Sequence, residues 1–161
     1  MAQVLTLGQL PLPTPDVVLY TDGSASFSSG TVGWGVYAHS DNYDTSLGGT
    51  VVIDSAATNW VGASRPTHHI GEISAIYHAL KWLSRGSKKR VPESPLDVNL
   101  LTDSEFCVRL FADNSIMARC NKPIIQRVRH LLQDVRRHHH LYEMSLLGTP
   151  VTPPFFAPSA A

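Results

Sequence analysis

The stretch Val17-Val18-Leu19-Tyr20-Thr21-Asp22-Gly23-Ser24 carries four apolar residues into Thr-Asp and then breaks on Gly-Ser. A short continuous apolar run ended by glycine predicts a strand buried on both faces. Asp22 then stands where that strand leaves the core, and in open α/β sheets ligands gather at the carboxyl ends of strands. A lone strand-end Asp more often caps a helix or serves a turn. Its weight comes from repetition: Leu100-Leu101-Thr102-Asp103-Ser104-Glu105 repeats the order of apolar run, Thr, Asp and small residue.

The chain has 161 residues, enough for one domain with its own core. Its 13 basic residues balance 13 acidic ones, so attraction to nucleic acid must come from local basic surface and not from global charge. Cys107 and Cys120 form no metal-spaced or redox pair. No apolar run approaches the roughly 20 residues of a membrane helix, and no basic stretch followed by an apolar core opens the sequence. The expectation is an intracellular protein, cytoplasmic or nuclear and not secreted, with no membrane partner and a monomeric state. Residues 1–15 read as a flexible leader, residues 16–147 as the domain, and residues 148–161 as a Pro-rich disordered tail.

Within the domain, Val32 to His39 alternates around Gly33, Trp34, Gly35, Val36 and Tyr37 and predicts a second strand. Ser46 to Ile53 predicts a third, completing a meander. A helix follows, with Thr67 as its cap and Ile70, Ile73, Ile76, Tyr77, Leu80 and Leu83 as one apolar stripe. Glu72 falls at the edge of that stripe, so its carboxylate faces the sheet margin. Alone, it reads more readily as a snorkelling edge residue. Arg85 to Pro95 reads as a basic loop and Leu96 to Thr102 as a fourth strand. Two helices are expected next, one after Asp103 and one opened by Pro123, with a weaker strand at 141–147. The second of these helices has an apolar stripe and a basic face that includes Lys122 and Arg127. His138-His139-His140 reads as its solvated end. The crossover through the Glu72 helix would make the first and fourth strands parallel neighbours. Asp22 and Asp103 would then lie side by side, with Glu72 reaching toward them.

Three carboxylates within a few ångströms repel one another unless a cation sits among them. Hard oxygen ligands select magnesium or manganese, and a pair of such ions supports phosphodiester cleavage.

Taken in order, Tyr20-Thr21-Asp22-Gly23-Ser24, Gly33-Trp34-Gly35, Gly71-Glu72-Ile73-Ser74-Ala75 and Leu101-Thr102-Asp103-Ser104 resemble a type 1 ribonuclease H domain, over about Asp16 to His140. The resemblance implies an α/β fold of the ribonuclease H-like kind. That fold is a mixed sheet of three antiparallel strands followed by parallel ones, with helices packed on it. It implies Mg2+ (Mn2+ being possible) as cofactor and endonucleolytic cutting of the RNA strand in RNA–DNA hybrids. By motif position, Asp22, Glu72 and Asp103 would be the catalytic metal ligands, and Gly23 and Ser24 would approach the RNA backbone. Thr67-His68-His69 occupies the place of a Thr-Asn-Asn that reads the hybrid's minor groove, so Thr67, His68 and His69 are candidate nucleic-acid contacts. Lys122 and Arg127 are candidates for phosphate.

The sequence departs from the family after the basic helix. Where a strand, a Gly-His-Ser-Gly-type loop and a helix bearing a fourth Asp are expected, it reads Ser145-Leu146-Leu147-Gly148-Thr149-Pro150-Val151-Thr152-Pro153. The last strand and helix are therefore expected to be incomplete. A truncation, frame change or aberrant splice near Leu147 is the expected cause. Some codons for Gly148 to Pro153, read one base earlier, spell Gly-His-Ser-Gly-His-Pro. The competing function is a catalytically impaired, nucleic-acid-binding remnant of the fold. An actin-like ATPase, which also uses strand-end Asp-Gly turns, needs a repeated domain and far more chain.

Overall fold

Leu19, Val98 and Leu100 on neighbouring strands are fully buried, and they mark where the helices cover the sheet. The computed structural model describes residues 14–26, 28–89 and 95–146. In chain order its elements are β1 (Val17–Ser26), β2 (Thr31–His39), β3 (Asp44–Thr50), α1 (Ile70–Lys89), β4 (Asp97–Thr102), α2 (Glu105–Phe111), α3 (Lys122–His138) and β5 (His140–Leu146). The sheet order is β3-β2-β1-β4-β5. β1–β2 and β2–β3 are antiparallel, while β1–β4 and β4–β5 are parallel. The expected crossover is present: Thr21 of β1 pairs with Thr102 of β4, so both Asp residues follow at the same end of the parallel pair. The strand does not end at Gly23 as expected; β1 runs on to Ser26, with Asp22 still paired to Gly35 of β2.

The sheet and all three helices share one core, to which α2 contributes Cys107, Leu110 and Phe111. Leu19, Val36, Ala38, Val98 and Leu100 meet Ile73, Ile76 and Leu80 of α1 and Ile124, Val128, Leu132 and Val135 of α3. Burying each large aliphatic side chain stabilises the fold by roughly 1.5–3 kcal/mol. The two Thr-Asp motifs use their threonines differently. Thr21 Oγ1 donates to the Leu101 carbonyl and ties β1 to β4. Thr102 Oγ1 accepts from the Ser104 amide, and Ser104 Oγ in turn accepts from the Cys107 amide as the α2 cap.

Several expectations are corrected. The α1 helix begins at Ile70, and Thr67 does not cap it, because the Thr67 hydroxyl accepts from Asn121 Nδ2. The helix runs to Lys89, through residues read as loop; an interior glycine costs about 1 kcal/mol and does not by itself end a helix. β3 stops at Thr50, short of Ile53. β5 forms and completes the five-stranded sheet. His139 is buried, not solvated: its Nδ1 accepts from the Leu96 amide at the start of the β4 segment. Residues 1–13 of the leader, the tail at 148–161 and the expectation of an incomplete last helix lie outside the described residues, whose helices include none long and apolar enough to cross a membrane.

Asn121 carries a structural role that its sequence context announces only weakly. It takes the left-handed conformation at φ 58° just before α3. Its buried side chain accepts from the Ser64 and Arg65 amides at 2.7 and 3.0 Å and donates to Thr67 Oγ1 at 3.3 Å. It thereby fixes the strap that leads into α1. Asn121→Ala would orphan two amides, each worth about 1–3 kcal/mol where water cannot reach. We expect a loss of about 2–4 kcal/mol in urea unfolding; a loss within experimental error would remove this role.

Candidate active site

Backbone contact brings the acids together. A Cβ at Gly71 would lie 2.7 Å from the Gly33 carbonyl oxygen and 3.2 Å from Gly23 Cα. A Cβ at Gly23 would lie 2.5 Å from the Gly71 carbonyl carbon, and closer still to the Glu72 nitrogen. With no side chains between them, the first turn of α1 rests directly on β1 and β2. Glu72, next in sequence, is carried to the end of the parallel β1–β4 pairing, beside Asp22.

Asp22, Glu72 and Asp103 each offer a carboxylate oxygen, and the three oxygens lie within 4.8 Å of one another. Asp22 and Asp103 are exposed and Glu72 is half-buried. Burial pushes the Glu72 carboxyl up to about 7, reinforced by the Asp103 charge and opposed by the Gly23 amide. Burial and then the Asp103 charge also raise Asp22, against the same amide. Oε2 of Glu72 is buried with no hydrogen-bond partner among the described residues. An orphaned acceptor inside a set of mutually repelling oxygens is a poor arrangement for an empty site and a good one for a hard cation. The donor set therefore fits a divalent metal.

The other candidate residues surround this cluster to different degrees. Gly23 is at its centre through its amide. Ser24 is exposed one residue further along β1, opposite Gly33. His69 lies flat on Phe106, with ring centroids 4.0 Å apart and planes at 7°, while the exposed His68 meets it edge-on at 5.2 Å. Phe106 follows Asp103 by three residues, so this ring stack bridges the α1 and α2 sides of the cluster. The stack is not legible in the motifs; the available signal is an aromatic ring three positions from Glu72, at His69, and another three positions from Asp103, at Phe106. Thr67 is held by Asn121, as above. Lys122 is exposed at the start of α3. Arg127 is committed to the strap: Nη1 donates to the Trp60 carbonyl at 3.4 Å, and the guanidinium sits 5.3 Å from the Trp60 ring centroid.

Burial lowers three histidines, His69, His78 and His139, and His78 falls to about 4. Each prefers the neutral form in the fold, so their contribution is complete above the unfolded value near 6.5 and declines as pH falls below it, for His78 toward about 4. Glu72 has the opposite sign: its folded value near 7 penalises the metal-free fold as pH rises from 4.5 through 7. Metal-free melting temperatures are expected to fall on the acid side below 6.5, and His78→Phe should flatten that limb. Added magnesium should raise stability most at and above pH 7, where Glu72 is charged. An acid limb unchanged by His78→Phe would contradict the assignment.

A mixed five-stranded sheet presenting three convergent carboxylates beside a helix start defines an α/β protein with an acidic, cation-ready site. The RNase H family matches residues 14–145, and the chain belongs to that family. By that membership it is a ribonuclease H-type enzyme. Among solved structures, an RNase H1 from the halophilic archaeon Halobacterium salinarum superposes with a TM-score of 0.55 at 16% identity, over 81% of this chain and 84% of that one. LC11-RNase H1, solved in complex with an RNA/DNA hybrid, gives 0.51 at 19% identity over 81% and 84%. The N-terminal RNase H domain of a Mycobacterium tuberculosis protein, solved as a fusion with maltose-binding protein, gives 0.52 at 16% over 83% of each chain. At these identities the likeness establishes the fold. A comparison with the curated proteins gave no match.

Proposed function

We propose that this chain hydrolyses the RNA strand of RNA–DNA hybrids, with Asp22, Glu72 and Asp103 as ligands for magnesium or manganese. The observation that carries the reading is the meeting of those three carboxylates within 4.8 Å in a chain of the RNase H family. The solved complex of LC11-RNase H1 with an RNA/DNA hybrid supports the substrate class. When bound, a pair of divalent ions supplies an activated water and stabilisation of the leaving oxygen.

The chain's own residues do the rest. The Gly23 amide fixes the Asp22 and Glu72 carboxylates from one side. The short, exposed side chain of Ser24 leaves room for a sugar–phosphate backbone to reach the cluster, while the space at Gly23 is taken by the first turn of α1. The His69–Phe106 stack forms a rigid wall beside it, and exposed His68 offers hydrogen bonds toward bound bases. Lys122 adds a charge for phosphate on the α3 side. Arg127, oriented by Trp60, acts on phosphate only while keeping that contact.

Incubating the full chain with labelled hybrid, single-stranded RNA and duplex DNA tests the reading. The expected result is magnesium-dependent cutting of the RNA strand of the hybrid alone, stopped by chelation. Salt-dependent hybrid binding without turnover would overturn catalysis and leave a hybrid-binding protein.

A further inference from the structure

A cavity of about 200 Å³ lies between α1 and the β2–β3 hairpin, bordered by the chain that leaves β3. Trp34, Val51, Val61, Asn59, Ser74 and His78 form most of its wall, and no Asp, Glu, Lys or Arg lines it. Ser74 is 1% exposed, and its Oγ has no hydrogen-bond partner among the described residues. A serine within a helix ordinarily returns its hydroxyl to the carbonyl four residues back or gives it to water. Here the hydroxyl has no such backbone partner, and it belongs to a residue lining the cavity.

The wall is preformed. His78 lies flat on Trp34, with centroids 3.7 Å apart and planes at 10°. Gly49 makes room for the indole, since a Cβ there would sit 3.1 Å from the ring. Burial holds His78 as neutral imidazole, which has one donating and one accepting nitrogen. The lining thus combines apolar walls, an aromatic stack, an orphaned hydroxyl and an uncharged imidazole. Such pockets select ligands by shape and a few polar contacts. A phosphate would meet no countercharge, whereas an apolar cavity of about 150 Å³ already admits benzene.

We propose that this cavity binds an uncharged, planar, hydrogen-bonding heterocycle of nucleobase size, through the Ser74 hydroxyl and the His78 ring. Two sources share that chemistry: a free nucleoside, or an unpaired base of a bound strand. Position favours a link to the nucleic-acid site. Ser74 is two residues along α1 from Glu72, and Trp34 pairs across the sheet with Gly23. Binding here needs neither metal nor turnover, so it stands or falls apart from the nuclease reading.

The test follows the Trp34 indole N–H by NMR in the intact chain, with chelator present. One arm adds uridine or adenosine. The other adds hybrid with a short single-stranded RNA overhang, with blunt hybrid as reference. The expected result is a saturable Trp34 shift with nucleoside, with the overhang, or with both; the arm that responds identifies the source. Ser74→Ala should weaken binding about fivefold through one lost hydrogen bond. Ser74→Met should fill the space and abolish the shift. Should Ser74→Met not fold, His78→Phe keeps the stack, removes both nitrogens and should weaken binding similarly. No Trp34 shift with any probe at millimolar concentration, as for a cavity holding only water, overturns the proposal. So does a shift that persists unchanged in Ser74→Met and His78→Phe.

Discussion

Asp22→Asn is expected to lower hybrid cleavage about 10³-fold while leaving the fold intact or slightly more stable. Metal-centred stabilisation of a phosphoryl transition state is worth several kcal/mol, and each 1.36 kcal/mol is tenfold in rate. The substituted side-chain amide would keep the shape and one oxygen but lose the charge that holds a cation. Stability moves the other way, because the charged Asp22 is disfavoured by burial and by Asp103. Removing that charge relieves repulsion in the metal-free fold, a trade seen where a site is built for function at the expense of stability. Cleavage rate and metal-free melting temperature, measured on the same preparation, check both halves. Retained cleavage would remove Asp22 from the chemistry. Lost cleavage with a collapsed fold would make its role structural.

Gly71→Ala should be nearly as damaging, by a different route. The new methyl would press on the Gly33 carbonyl at 2.7 Å and on Val32 Cγ1 at 3.1 Å. Backbone oxygen in a paired strand cannot swing aside, so α1 must lift from the sheet. Overpacking of this kind costs about 1–3 kcal/mol, part of which the better helix propensity of Ala offsets by about 1 kcal/mol. The net expectation is a fall of up to about 8 °C in melting temperature. Activity suffers more, since Glu72 moves with the helix, and a displacement approaching 1 Å can cost about 10²-fold. Gly35→Ala is the control: its Cβ would have no neighbour closer than 3.9 Å and should be tolerated. Equal behaviour of the two variants would show that close approach at Gly71 does not place Glu72.

The two Thr-Asp motifs made the centre of the fold legible in the sequence. Repeated apolar runs can only be parallel neighbours if a helix crosses between them, and one long apolar stripe supplied that helix. The convergence of Asp22, Glu72 and Asp103 follows from that single topological step. What stayed hidden depends on contacts between distant segments. Thr67 carries the signature of a helix cap, yet its hydroxyl is taken by Asn121, 54 residues away in sequence. His139 looks solvated beside two other histidines, but the turn from α3 into β5 buries it against the Leu96 amide. Arg127 reads as a free basic residue until Trp60 is seen beneath it. The Ser74 cavity left no trace, because a serine on the helix face is locally ordinary until one knows what fails to fill the space opposite.

The central claim is that the three acids form one cation site. Calorimetric titration of manganese into the full chain, beside Asp22→Asn, Glu72→Gln and Asp103→Asn, tests it without reference to turnover. Saturable binding in the parent chain, weakened in every single variant, is the expected result. Equal heats in all four proteins would place the ions elsewhere and contradict the claim.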